Sequence, residues 1–191
     1  GGTRHRIEAD IVIGADGRNS RVAKHVQAAS YSEAPTLTCW YFSYWSGVPG
    51  NALELYMRGR NVIFAFPTND DLFAVFVSWP IDELDGVRSN AERQLMTAVD
   101  AVPELAERVR SGTREERIYG ATSLPNYLRR PYGEGWALVG DAGCHKDPFL
   151  ALGICDAFRD AELLADAVVA TLSEGRLEAE ALAEYEQRRN A

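Results

Sequence analysis

Residues 136–143 read Trp-Ala-Leu-Val-Gly-Asp-Ala-Gly, and the fold class can be worked out from this short run. Its four leading apolar residues are typical of a short buried strand, and the Gly-Asp pair predicts a turn where that strand ends. There the Asp141 carboxylate would be well placed to accept hydrogen bonds from ribose-like hydroxyls, and Gly140 would let a ligand approach the backbone. A plain turn whose aspartate caps the next helix is the alternative interpretation.

A long helix is predicted downstream of this turn, over residues 153–172. Its apolar residues recur at helical spacing and predict one broad buried face, made of Ile154, Ala157, Phe158, Ala161, Leu164, Ala165 and Val168. Gly153 has no side chain and would permit close contact at the helix start. The first N–H groups of a helix have no partner within it, so a group that acquires negative charge would be stabilised there. We expect Gly175 to end this helix and residues 177–189 to form the last one.

A second buried strand is predicted at residues 7–14, which read Ile-Glu-Ala-Asp-Ile-Val-Ile-Gly. The end of this run is continuous and β-branched, as expected of a strand buried on both faces of a parallel sheet. The Asp16-Gly17 pair predicts a turn, after which Ser20 would cap a short helix that runs to Val26. This region and the one around residue 140 therefore share the order strand, turn, helix.

The region between them has a different pattern. Four segments rich in aromatic and β-branched residues are predicted strands, at residues 36–45, 53–57, 61–66 and 72–79. The short turns between them indicate an antiparallel sheet. A helix over residues 90–110, broken or kinked at Pro103, and one more strand over residues 117–123 complete the region. Because side chains alternate along a strand, one aromatic-rich face of this sheet would pack a helix and the other would line an apolar substrate pocket.

These patterns predict an α/β fold, α+β overall. A parallel-sheet domain of residues 1–35 and 132–191, with long C-terminal helices, is interrupted by an antiparallel-sheet domain of residues 36–131.

Composition excludes several classes of protein. The formal net charge is -8, so the chain repels phosphate backbones and no nucleic-acid partner is expected. There is no run of about 18 apolar residues, so no membrane-spanning helix is predicted. The three cysteines show no disulfide or metal-binding pattern and fit a reducing cytoplasm, and the three histidines lack metal-ligand spacing.

Two motifs resemble those of the aromatic-hydroxylase (group A monooxygenase) type of FAD-dependent oxidoreductase. Residues 139–143, Val-Gly-Asp-Ala-Gly, together with Asp147-Pro148 and the helix start at Gly153-Ile154, resemble the family's GD motif. Residues 13–22, Ile-Gly-Ala-Asp-Gly-Arg-Asn-Ser-Arg-Val, resemble its DG motif. The motifs stand in the family's order, and the residues between them fit an antiparallel insertion.

The resemblance implies roles for the residues that match the GD motif. Gly140 and Asp141 would form the turn beside the cofactor, with Asp141 binding the ribityl chain of FAD. Pro148 would lie beside the isoalloxazine ring, near the substrate. The N–H groups of Gly153 and Ile154 would face the flavin N1–C2 carbonyl, where a helix N-terminus stabilises the negative charge of the reduced ring.

The residues that match the DG motif would serve the other end of the cofactor. Asp16 and Gly17 would lie near the pyrophosphate of FAD, and the loop through Arg18 would assist NAD(P)H, the electron donor. The resemblance implies no catalytic side chain, because the flavin performs the oxygen chemistry while the protein supplies binding, orientation and a water-poor site.

The chain departs from the family in two ways. The family's GxGxN run after the proline reads Ala-Leu-Gly-Ile-Cys at residues 151–155, so one glycine and the asparagine are absent. The family's βαβ unit with its GxGxxG motif, whose helix end holds the pyrophosphate, is also absent from the 191 residues. We therefore expect a longer protein to supply an N-terminal nucleotide-binding segment, and this chain alone to bind FAD weakly or not at all.

The predicted function is that of an FAD-dependent oxidoreductase, a monooxygenase that takes electrons from NAD(P)H and acts on an apolar or aromatic small molecule. A flavin halogenase or a prenyl-type reductase on the same scaffold is the alternative among enzymes. The absent GxGxxG motif also leaves open a non-catalytic binding module that has lost the cofactor.

Overall fold

The computed structural model of the protein describes residue 3, residues 5–174 and residues 178–191. The strands are β1 (Val12–Gly14), β2 (Ser30–Ala34), β3 (Thr38–Ser46), β4 (Glu54–Arg58), β5 (Asn61–Pro67), β6 (Leu72–Pro80), β7 (Thr113–Arg114), β8 (Tyr119–Ala121), β9 (Asn126–Arg129), β10 (Tyr132–Gly133), β11 (Trp136–Leu138) and β12 (Cys144–His145). The α-helices are α1 (Arg21–His25), α2 (Leu84–Ser89), α3 (Ala91–Asp100), α4 (Pro103–Ser111), α5 (Gly153–Glu174) and α6 (Glu178–Asn190). The predicted helix end at Gly175 and helix start at Leu177 lie outside the described residues. None of the helices described is both long and apolar enough to span a bilayer.

The chain divides into two compact units. Unit 1 consists of Gly1–Pro35 and Pro125–Ala191, and unit 2 of Thr36–Leu124. Residues 125–131, which the sequence analysis placed in the antiparallel insertion, belong to unit 1. The reason is strand pairing, since β9 pairs with β2 on one side and with β12 on the other, and both partners lie in unit 1.

Unit 1 contains the predicted parallel strand pair. β1 pairs in parallel with β11, with Gly14 opposite Leu138, and β10 pairs antiparallel with β11. The predicted α/β fold is thus confirmed. β1 is shorter than predicted, however, because β11 offers only three residues to pair with and residues 7–11 form no strand. Val12 and Ile13 are about half exposed, so the prediction of a strand buried on both faces is wrong.

Helices α5 and α6 form a core with β11. Leu163 and Leu164 of α5 and Leu182 and Tyr185 of α6 are buried together with Ala137 of β11. This packing places the first turns of α5 against the residues that follow β11.

The buried face of α5 overlaps the predicted one only in part, since Leu164 is buried and Val168 packs against the core as predicted. Ile154 and Phe158, which were expected in the core, are 73% and 74% exposed, whereas Leu163 and Ala167 are buried. Apolar residues occur on more than one side of this helix, so its periodicity is compatible with more than one buried face. Contact with β11 and α6 selects the side that carries Leu163 and Ala167.

Unit 2 is an antiparallel sheet, as predicted. Its strand order is β4-β5-β6-β3-β7, and β8 also pairs with β3. Side chains on one face of β3, among them Tyr41 and Trp45, pack with Leu95 of α3 and Leu105 of α4 in a continuous core. Because side chains alternate along β3 and β6, those on the opposite face of the sheet take no part in this core.

The predicted helix over residues 90–110 is two helices, α3 and α4. Pro103 occupies the first turn of α4, where its missing N–H is not needed, and it could not continue α3. Asn90 caps α3 by accepting a 3.3 Å hydrogen bond from the Arg93 N–H. The short helix α2 was not predicted.

Stacked aromatic rings cover the second face of the unit 2 sheet. Phe42 of β3 stacks on Phe76 of β6, with ring centroids 4.4 Å apart, and on Tyr119 of β8 at 5.4 Å. Trp40 stacks on Phe64 of β5 at 5.6 Å. Four of these five rings are half-buried and Trp40 is buried. We call these five residues the aromatic face.

Candidate cofactor site

The residues after β11 form one tight turn, Gly140–Ala142, which we call the GD turn. A 2.9 Å hydrogen bond from the Gly143 N–H to the Gly140 carbonyl closes it. Gly140 has a φ of +54°, a left-handed conformation that costs glycine little. Its N–H donates to the carboxylate of Asp160 in α5 over 3.2 Å. The turn predicted from the Gly-Asp pair is present, and a side chain from α5 holds its first residue.

The close approach at Gly140 involves protein atoms. A Cβ added to Gly140 would lie 3.1 Å from the Cβ of Ala157 and 3.5 Å from its Cα. The glycine was expected to make room for a ligand, whereas in the structure α5 fills the space. The glycine therefore brings the GD turn and the start of α5 together.

Asp160 was missed in the sequence analysis. It is 1% exposed, and burial raises the pKa of its carboxyl in spite of the opposing effect of Arg159 and Arg189. Its acceptance of the Gly140 N–H satisfies one polar group of the GD turn within the protein. The available signal was a carboxylate at helical spacing from the apolar residues Leu163, Leu164 and Ala167.

Asp141 occupies the centre of the GD turn and is half-buried. Its backbone carbonyl accepts a 2.6 Å hydrogen bond from the hydroxyl of Tyr127. Among the residues described, none donates a hydrogen bond to the Asp141 carboxylate. The backbone of this residue is therefore fixed while its charged group is available to an outside donor.

The start of α5 is exposed. The N–H of Asp156 makes the first intrahelical hydrogen bond, to the Leu152 carbonyl at 2.8 Å. The N–H groups of Gly153 and Ile154 consequently have no acceptor within the helix, and both residues are exposed, as is Pro148. The positive end of a 22-residue helix is thus open next to the GD turn.

The departure from the GxGxN run has a conformational cost. Ala151 stands where the first glycine of that run falls, and its φ is +53°. A residue with a side chain pays about 1–2 kcal/mol in this left-handed conformation. The loop before α5 therefore adopts a backbone conformation that favours glycine although glycine is absent.

The DG loop, residues 16–20, lies between β1 and α1. The Asp16 carboxylate accepts hydrogen bonds from the N–H groups of Arg21 at 2.7 Å and Val22 at 3.3 Å. A hydrogen bond with the Ser20 side chain, followed by these backbone N–H groups, lowers the pKa of Asp16. The Ser20 hydroxyl itself accepts from the Ala23 N–H at 2.8 Å, so the predicted helix cap is confirmed.

Gly17 keeps the DG loop open. Its φ is +74°, and within the described part of the chain no atom, other than those of Gly17 and its two sequence neighbours, lies within 4 Å of the position that a Cβ would occupy. Asp16 is committed to capping α1, so the part of this loop that a ligand could approach is the open backbone at Gly17. The Arg18 carbonyl accepts a 3.1 Å hydrogen bond from Tyr127.

Tyr127 of β9 is the second residue that the sequence analysis missed. Its hydroxyl reaches the backbone of both predicted motifs, at Arg18 and at Asp141. The DG loop, the GD turn and the start of α5 are thus connected to one another, since Tyr127 links the DG loop to the GD turn and Ala157 joins the GD turn to α5. Nothing in the spacing of Tyr127 along the chain indicated this position.

Comparison with known proteins identifies the family. A family model described as FAD binding domain matches residues 1–191. The chain belongs to this family. The predicted resemblance to FAD-dependent oxidoreductases is confirmed at this level, and FAD is the cofactor named in the family's description.

Proteins similar to this FAD binding domain include a reductase, a flavin-dependent brominase and a probable FAD-dependent monooxygenase. Digeranylgeranylglycerophospholipid reductase of Methanothrix thermoacetophila is 26% identical over 189 residues, which cover 95% of this chain and 46% of that protein. The flavin-dependent brominase Bmp2 has the same fold, with a TM-score of 0.85 at 20% identity over 100% of this chain and 50% of that one. PqsL of Pseudomonas aeruginosa, in complex with 2-aminobenzoylacetate, gives a TM-score of 0.76 at 25% identity over 94% and 51% of the two chains. The chain spans about half of the length of these proteins.

Proposed function

We propose that this chain contributes the flavin-ring side of the FAD site in an FAD-dependent monooxygenase that uses NAD(P)H. The observation that supports the proposal is that a carboxylate and an open helix N-terminus lie next to each other. An Asp141 carboxylate without a donor among the described residues lies in a turn that packs, through Gly140 and Ala157, on the open N-terminus of α5. A polyhydroxylated chain ending in a ring that becomes anionic on reduction needs such an acceptor and such a positive dipole.

The residues of the chain fit FAD. Asp141 would accept hydrogen bonds from the ribityl hydroxyls, while the N–H groups of Gly153 and Ile154 would face the N1–C2 side of the ring and stabilise its negative charge. Pro148, which is exposed before α5, would lie beside the ring. When bound, FAD supplies the electron transfer and oxygen chemistry, and these residues bind, orient and stabilise charge.

The DG loop would serve the phosphate side. Gly17 is open to close approach by a pyrophosphate, and Arg18 would assist NAD(P)H with its positive charge. The adenosine half of FAD would bind a nucleotide-binding segment outside this chain. The three cysteines are free thiols, which supports a reducing cytoplasm as the location.

The substrate is proposed to be an apolar or aromatic small molecule that contacts the aromatic face of unit 2. The half-buried rings of Phe42, Phe64, Phe76 and Tyr119 offer apolar surface for it. PqsL, which is similar over most of this chain, is seen with a small aromatic acid.

A prenyl-type reductase is the second candidate. It is favoured by the Methanothrix relative, which is a digeranylgeranylglycerophospholipid reductase. Two flexible apolar side chains on β4, Leu55 and Met57, lie opposite Phe64 and Val62 and are 56% and 64% exposed, so they extend this apolar surface beyond the rings. A halogenase is the third, and its support is the shared fold of the brominase.

Asp141→Asn in the full-length protein tests the cofactor proposal. Loss of the charged acceptor should weaken FAD binding roughly 10- to 100-fold, because hydrogen bonds to a charged group contribute about 1.5–3 kcal/mol. FAD dissociation constants come from quenching of flavin fluorescence, with Asp166→Asn, an exposed carboxylate further along α5, as the matched control. A folded wild-type protein that binds no FAD, or equal affinity in both variants, would refute the proposal.

Oxygen use separates the candidate reactions. A monooxygenase should consume O₂ with NAD(P)H oxidation when a suitable aromatic compound is present and should place one atom of ¹⁸O₂ in the product. A prenyl-type reductase should instead saturate its substrate without O₂, and a halogenase should require halide. Substrate-dependent turnover under anaerobic conditions would reject the monooxygenase.

A further inference from the structure

The side chain of Tyr127 connects two loops that are far apart in sequence. β9 lies between β2 and β12, with Tyr127 opposite His145, and the tyrosine is 8% exposed. Its hydroxyl donates towards the Asp141 carbonyl at 2.6 Å and the Arg18 carbonyl at 3.1 Å. One buried proton therefore faces two backbone oxygens, one in the GD turn and one in the DG loop.

Arg129 reinforces this connection from the same face of β9. Its guanidinium lies over the Tyr127 ring, 4.0 Å from the centroid, and donates to the Ala142 carbonyl at 3.0 Å. The Arg129 N–H donates to the Gly143 carbonyl at 2.8 Å. Two residues of one strand, two positions apart, thus hold three successive residues of the segment 141–143.

The tyrosine acts as a hydrogen-bond donor throughout the neutral pH range. Burial raises the pKa of Tyr127 above its ordinary value, although the charge of Arg129 opposes the shift. The hydroxyl therefore keeps its proton, and removing it would leave the two carbonyl oxygens facing ring carbon atoms. Buried acceptors that lose their donor retain the cost of desolvation.

We propose that Tyr127 is a positioning residue that sets the spacing between the DG loop and the GD turn, so that FAD meets both loops already arranged. The inference rests on the proposed FAD site. Tyr127 reaches each loop through a hydrogen bond to a backbone carbonyl, at Arg18 and at Asp141. Its contribution is consequently to the arrangement of the free protein, which lowers the cost of binding.

Tyr127→Phe in the full-length protein tests this inference, with Tyr185→Phe as the matched control. Tyr185 is 1% exposed, and its hydroxyl donates to the Leu138 carbonyl at 2.7 Å without reaching the DG loop. The FAD dissociation constant should rise roughly three- to tenfold in Tyr127→Phe, the range expected for one buried hydrogen bond. Turnover at saturating FAD should be unchanged, and Tyr185→Phe should alter FAD affinity by less than about twofold.

Hydrogen exchange without FAD provides the second readout. The Ser20 amide, bonded to the Gly17 carbonyl, reports on the DG loop, and the Gly143 amide, bonded to the Gly140 carbonyl, reports on the GD turn. Both amides should exchange roughly three- to tenfold faster in Tyr127→Phe. In Tyr185→Phe the Ser20 amide should be unaffected.

The outcomes distinguish the two proposals. If the wild-type protein binds no FAD but Tyr127→Phe accelerates exchange in both loops, the proposed function fails and the structural link stands. If FAD binds equally well to wild type and Tyr127→Phe, or if Tyr185→Phe weakens binding as much, the positioning role of Tyr127 is overturned.

Discussion

Replacing Gly140 by alanine should destabilise unit 1 by about 3 kcal/mol. The left-handed backbone at φ +54° contributes about 1–2 kcal/mol of this, since alanine pays a steric cost there that glycine does not. The new Cβ would lie 3.1 Å from the Cβ of Ala157, and overpacking of this kind adds roughly 1–3 kcal/mol. Either the GD turn or α5 must shift to relieve the contact.

Two other glycines in the same unit separate these contributions. Gly17 has a φ of +74° but open space around its Cβ position, so Gly17→Ala should cost only the conformational part, about 1–2 kcal/mol. Gly153 has neither a positive φ nor a neighbour within 4 Å, so Gly153→Ala should change stability by less than about 1 kcal/mol. The predicted order of destabilisation is Gly140, then Gly17, then Gly153.

Native-state hydrogen exchange measures this series in unit 1. The Leu138 N–H is suitable because the residue is fully buried and its amide bonds the Pro131 carbonyl at 2.7 Å, so it exchanges only when β11 opens. A Gly140→Ala variant that loses no more stability than Gly17→Ala would show that the contact with Ala157 does not limit the turn. The absence of a side chain at Gly140 would then not be what brings the turn against α5.

Three further perturbations have definite signs. Ala151→Gly should raise the stability of unit 1 by about 0.5–1 kcal/mol, because it relieves a left-handed alanine but loosens the unfolded chain; a lower melting temperature would contradict this. Arg108 lowers the pKa of Glu54 in unit 2. The stability that wild type gains over Glu54→Gln should therefore be present above the ordinary pKa near 4.5 and disappear as pH falls through the lowered pKa. Urea unfolding across acid pH measures this difference, and a difference that does not depend on pH would refute the prediction. Burial raises the pKa of Asp160. Wild type should therefore lose stability relative to Asp160→Asn as pH rises from about 3.8 through the raised pKa. Hydrogen exchange of unit 1 measures this change, and the opposite pH dependence would contradict the prediction.

FAD affinity, measured by quenching of flavin fluorescence, would show which of these variants also affect the proposed cofactor site. Variants that disturb the GD turn, such as Gly140→Ala, should weaken FAD binding together with stability. Asp141→Asn should weaken FAD binding with little change in stability, because its carboxylate has no donor among the residues described. A parallel loss of both properties in Asp141→Asn would mean that this carboxylate is structural.

Features that depend only on neighbouring residues could be predicted from the amino-acid sequence. The Gly-Asp turn after β11, the cap at Ser20 and the break before Pro103 follow from the hydrogen-bonding and dihedral preferences of a few adjacent residues. The alternation of unit 2 also predicted its antiparallel strands correctly. The two stretches that resemble motifs of FAD-dependent oxidoreductases are local in the same sense, and their order along the chain was enough to predict the family, which the FAD binding domain match confirms.

The contacts that join these local features arise only when distant segments pack together. Tyr127 meets Arg18 across more than a hundred residues of sequence, and Asp160 reaches Gly140 from the next helix. The periodicity of α5 allowed more than one buried face, and only packing against β11 and α6 exposed Phe158. Contacts of this kind depend on which surfaces meet after the chain has folded, and no preference of an individual residue or its sequence neighbours specifies them.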